Sequence, residues 1–162
     1  GPRLMTTPFP MEILQLPDQK RIVMIYEGGT HIWRIVYMDG RPHPKGESLN
    51  PTWLGHSVGR WEGDTLVIDV VGYNEGSWID MAGDPHTDQL HLVERFTRKD
   101  LYTLRYEATI DDPGAYTETW KVVQQSLLAE GWEIMENICN ENQDELGNQL
   151  DVLHLAGERK EK

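Results

Sequence analysis

Four charged residues interrupt runs that are otherwise apolar at every second position. Arg34 stands between Ile32 and Val36, Asp69 between Val67 and Val71, Glu94 between Leu92 and Phe96, and Glu136 between Ile134 and Ile138. Residues two apart share one face of a strand, so each charge falls on the face a core would take. A lone buried carboxylate is costly unless it is paired or protonated. Held in apolar surroundings, its pKa rises and it becomes a ready general acid or base. The competing reading is structural, with Arg34 or Arg95 neutralising the acids inside the fold.

The histidines supply the other proton carriers. His56 opens the stretch GHSVGRWEGDTLVIDVVGYN, and His86 and His91 lie in DPHTDQLHLVERF. The set His56, Asp69, His91 and Glu94 is therefore the expected acid/base group. Arg34, Trp61, Asn74, Trp78, Asp80, Trp120 and Glu136 are expected around a bound ligand, because aromatic walls with a few polar tips describe a small-molecule pocket. No metal or other cofactor is expected. His91 and Glu94, three apart, point to opposite faces of a regular strand, so a metal would need His56, His86 and His91 to converge from loops. His43, in GRPHP, is expected to be an exposed loop residue rather than a catalytic one.

These groups need a scaffold, and the period-two pattern provides strands. The runs 12–16, 20–27, 31–38, 57–61, 65–73, 90–98, 101–110, 116–127 and 132–139 read as nine strands separated by glycine-containing or polar turns. Closure removes exposed pairing edges, so the expected fold is a single antiparallel up-and-down β-barrel of lipocalin type over residues 1–162, with a β-sandwich as the alternative. Residues 142–162 have the composition of a short terminal helix or tail. Two longer loops, 39–52 and 74–89, break the meander, and the second has the length and residues of a lid over the barrel mouth.

Composition narrows the partners. With 27 acidic against 15 basic residues the net charge is −12, which disfavours nucleic acid and anionic membrane surfaces. No apolar run reaches the roughly 20 residues of a membrane-spanning helix. Cys139 is the only cysteine, so no disulfide forms within the chain. Phosphate loops, a G-x-S-x-G elbow and C-x-x-C are lacking. Surface aromatics permit a homodimer without requiring one.

The motifs MDGRPHP, PTW-x-GHS-x-GRWEGDTLV-x-D-x-VG-x-N, PH-x4-LH-x-VERF, TI-x-DP-x-AYT and the late E-x-x-C-x-EN cover nearly the whole chain. Together they resemble a family of uncharacterised bacterial proteins, many with secretory signals. The resemblance implies a periplasmic or extracellular location with the signal peptide removed; it carries no activity. The expected function rests on the residues: an enzyme of isomerase, cyclase, lyase or hydrolase type, acting on a small, mainly apolar or aromatic molecule in the barrel. The alternative is a lipocalin-like carrier that binds such a molecule unchanged.

Overall fold

Alternating apolar runs become strands in the order in which they occur. In a computed structural model, which describes residues 5, 7–28 and 32–135, they are β1 (Met11–Leu16), β2 (Arg21–Tyr26), β3 (Ile32–Tyr37), β4 (His56–Glu62), β5 (Thr65–Val71), β6 (His91–Arg98), β7 (Thr103–Asp111) and β8 (Trp120–Leu127). They form one eight-stranded sheet in sequential order, curled into a half-barrel. Among the described residues β1 and β8 do not pair with each other, so the described sheet is a half-barrel, as either the expected β-barrel or the alternative sandwich allows. The ninth expected strand begins in residues 132–135, which are irregular. Its remainder, with Glu136, Cys139 and the expected helix at 142–162, lies outside the described residues.

The sheet departs from a meander in the pairing of β3 with β4, which is parallel and short: Val36 opposite Ser57 and Tyr37 opposite Val58. Parallel neighbours cannot be joined by a tight turn, and residues 38–55 supply the long connection. Every other neighbouring pair is antiparallel. Between β4 and β5 only Gly63 and Asp64 intervene, with Glu62 paired to Thr65. The first of these two positions takes a φ of +59°, a backbone state that glycine adopts without penalty.

Register decides which side chains face inward. Ile68 pairs with Glu94, and Glu94 with Ala108, so Glu94 shares the inner face with Met24, Val36, Ile68, Val70, Leu92, Phe96, Tyr106 and Ile110, all buried. Burying each large apolar side chain contributes about 1.5–3 kcal/mol. Asp69 pairs with Val58 and Val93 and therefore faces the other way. Two carboxylates on adjacent strands thus occupy opposite faces of one sheet.

Candidate functional site

On the inner face, Arg34 of β3 meets Glu94 of β6 at 2.6 Å, with side chains 4% and 0% exposed. Three strand spacings separate β3 from β6, about 14 Å in a flat sheet, so the contact requires the curl. Of the two intervening strands, β4 presents Ser57 and Gly59 inward; a side chain at 59 would collide with Val36 and Met38. The Tyr106 hydroxyl donates to the second Glu94 oxygen at 3.0 Å. Burial opposes the Arg34 charge, but Glu94, with Tyr26 and Tyr73, outweighs it and lifts the pKa above its ordinary value. Burial also pushes the Tyr26 hydroxyl up to about 12 and raises Tyr73 and Tyr106, so all three stay protonated. This network neutralises Glu94 within the core. Arg95, the other expected partner, pairs with Glu62 instead.

The outer face is different. Asp69 Oδ1 accepts from His43 Nε2 at 2.8 Å and from His91 Nε2 at 3.1 Å, and His43 Nδ1 lies 2.8 Å from His56 Nδ1. His56 stacks on Tyr37, with ring centroids 5.3 Å apart and planes 23° apart. The connection 38–55 folds back over this face: Arg41 sits 3.9 Å above the Tyr37 ring while Asp39 holds its guanidinium through three hydrogen bonds. The Arg41 side-chain bonds hold the Asp39 carboxyl down at about 2. All members of the cluster are partly open to solvent, His43 at 20%, Asp69 at 31% and His91 at 41%.

The tautomers follow from donor counting. A carboxylate only accepts, so His43 and His91 carry their protons on Nε2. Neutral His43 then has a lone pair on Nδ1, and His56 must donate Nδ1–H to it. His56 Nε2 is left as a lone pair that takes no hydrogen bond from a described residue. Partial burial, followed by the electrostatic influence of the neighbouring His43 ring and of the Arg41 charge, lowers the His56 pKa from its ordinary 6.5, which keeps that lone pair available near neutral pH.

Of the four expected acid/base residues the structure gathers His56, Asp69 and His91, and separates Glu94 from them. His43, expected to be a mere loop residue, is the link. The sequence sign that identifies it is the long connection itself, since only a segment returning across the sheet brings position 43 over position 69.

The expected lid is fastened down. Its Asp80 carboxylate accepts the N–H groups of Ala82, Gly83 and Asp84, and the Asn74 side chain accepts from Gly76 N–H. His86 accepts from Ser77 and faces the Thr87 carbonyl. Buried Asp112 receives the Thr87 N–H and hydroxyl, each at 2.6 Å, and Tyr116 donates to the Pro85 carbonyl at 2.7 Å. These bonds lower the Asp112 pKa in spite of burial. His86 is thus a loop anchor, apart from His56 and His91, and Asn74 and Asp80 serve their own loop. Among the described residues no three His, Cys, Asp or Glu side chains are arranged to hold a metal ion.

The aromatic candidates scatter. Trp78 is exposed on the 74–90 loop, and Trp61 stands half exposed at the rim of the inner hollow. Trp120, on edge strand β8, packs edge-on against Tyr116. The hollow is a cavity of about 1130 Å³ between β1, the end of β8 and the β6–β7 turn, with Ile13, Ile22, Leu66, Phe96 and Leu104 on its walls. None of His43, His56, Asp69 or His91 reaches it.

Fold and site together define a mainly β protein, an eight-stranded half-barrel with a buried ion pair inside and a hydrogen-bonded Asp–His cluster outside. Compared with family models, with curated proteins and with solved structures, the chain has no match.

Proposed function

We propose that the protein is an acid/base enzyme whose reacting atom is His56 Nε2, acting on a small molecule that approaches the outer face beside Tyr37. The observation that carries this is the relay His56–His43–Asp69: the Asp69 carboxylate faces titratable rings rather than a fixed cation. His56 Nε2 takes a proton from the substrate or from an attacking water. The Nδ1 proton of His56 then passes to His43 Nδ1, so the positive charge comes to rest beside Asp69. His56 is the catalytic residue; His43, Asp69 and His91 are positioning residues. Proton abstraction of this kind serves isomerisation, elimination or hydrolysis of a small molecule. The motif resemblance favours action outside the cytoplasm.

The test is hydrolysis of p-nitrophenyl acetate. His56→Gln and Asp69→Asn, both folded by circular dichroism, are expected to lose about 100-fold of the wild-type rate. A folded His56→Gln protein that keeps the full rate removes the proposal.

A second reading, a lipocalin-like carrier using the inner face, is favoured by the 1130 Å³ cavity, whose walls are largely apolar. It assigns no chemistry to that cavity and is compatible with the outer relay.

A further inference from the structure

We infer that the inner cavity takes a single-chain amphiphile with a cationic head group, the chain lying along Leu66 and Phe96 and the head resting on Trp61 and Asp64. This deepens the carrier reading and rests on it.

Size is the first argument. About 1130 Å³ exceeds the roughly 300–1,000 Å³ of ordinary small-molecule sites, and Ile13, Ile22, Leu66, Phe96 and Leu104 give part of its wall an apolar surface. The second is that the cavity does not end blindly. Trp61, Asp64 and Arg98 also belong to a neighbouring recess of about 500 Å³ completed by Gly63 and Asp100, so an apolar chamber continues into a polar one. The two hairpin turns β4–β5 and β6–β7 form this mouth.

Charge selects the head. Asp64, Glu133 and one cationic residue, Arg98, are among the residues that border the larger cavity. Arg98 is held by its own turn, donating to the carbonyls of Asp100 and Leu101. Neither Asp64 nor Glu133 has a salt bridge among the described residues. Across the mouth, Asp100 accepts the N–H groups of Tyr102 and Thr103, which favours its charged form. Trp61 is 50% exposed, and an indole face attracts an alkylammonium cation. An anionic head would meet this acidic rim and a chain of net charge −12.

The experiment is calorimetric titration, with tryptophan fluorescence in parallel, using octyl- and decyltrimethylammonium, decanoate and decanol below their micelle concentrations. One saturable site is expected, tighter by about fourfold for each added methylene. Decyltrimethylammonium is expected to bind about tenfold tighter than decanoate, and Asp64→Asn to weaken the cation while leaving decanol unchanged. Equal binding of the cation, the anion and the alcohol, or a cation affinity unmoved by Asp64→Asn, overturns the head-group inference and leaves the carrier reading standing. No saturable binding of any of the four overturns both.

Discussion

Asp69 and Glu94 sit on neighbouring strands, each flanked by apolar residues at i±2, yet one register step gives them opposite surroundings. Glu94 is sealed in the core against Arg34, a partner whose charge does not titrate near neutral pH, and Tyr106 closes its second oxygen. Asp69 lies on the half-open outer face and meets two imidazoles, one of which reaches a third. A carboxylate with a fixed cation and no water stabilises a shape. Surrounded by histidines and water, the same group biases where protons reside. The difference lies in the partners and the exposure, because the two local sequence patterns are nearly alike.

The sharpest way to break this contrast is to disarm the inner acid. Glu94→Gln leaves the Arg34 guanidinium buried without its counter-charge and is expected to destabilise by about 3–5 kcal/mol in urea denaturation. The double change Arg34→Met with Glu94→Leu should recover most of that loss, since an apolar pair of similar volume replaces the ion pair. Tyr106→Phe, which removes one hydrogen bond to the same carboxylate, is expected to cost about 1.5–3 kcal/mol by the same measurement. The corresponding outer change, Asp69→Asn, should stay within about 1 kcal/mol, as half-exposed ion pairs do, while turnover collapses. If Asp69→Asn unfolds the protein as readily as Glu94→Gln, the division between the two faces fails.

A smaller effect concerns pH. The His56 pKa is lowered in the fold, so on acidification the unfolded chain takes up this proton first. The stability linked to His56 is therefore complete above about 6.5 and is lost as pH falls from there through the lowered value. His56→Gln should flatten that part of a urea-midpoint profile between pH 7.5 and 5. The smallest expected change is Arg41→Gln, which removes one of the charges lowering His56 and should move its imidazole titration upward in NMR spectra.

Much of the scaffold was legible in the residues. Period-two runs located all eight strands to within a few positions, and the polar Gly63–Asp64 step marked its hairpin. Of the charges inside apolar runs, Arg34 and Glu94 do lie buried on the core face, whereas Asp69 lies on the outer face and is 31% exposed. Which face each would take was not legible, because it depends on Ile68 pairing with Glu94, and no local pattern encodes the register between strands some 25 residues apart. That His43 lies over Asp69 was not legible for the same reason: its position comes from the parallel β3–β4 pairing and the path of residues 38–55. How the 74–89 loop is fastened was not legible either: Asp80 and His86 bond within the loop, but Thr87 is held by Asp112, 25 residues further along the chain.

The most direct test of the relay is the ¹⁵N imidazole spectrum at pH 7.5. The account predicts His43 and His91 protonated on Nε2 and His56 protonated on Nδ1, with the His56 pattern lost in Asp69→Asn. His56 protonated on Nε2 in the wild-type protein would contradict it, for then no free base faces the substrate.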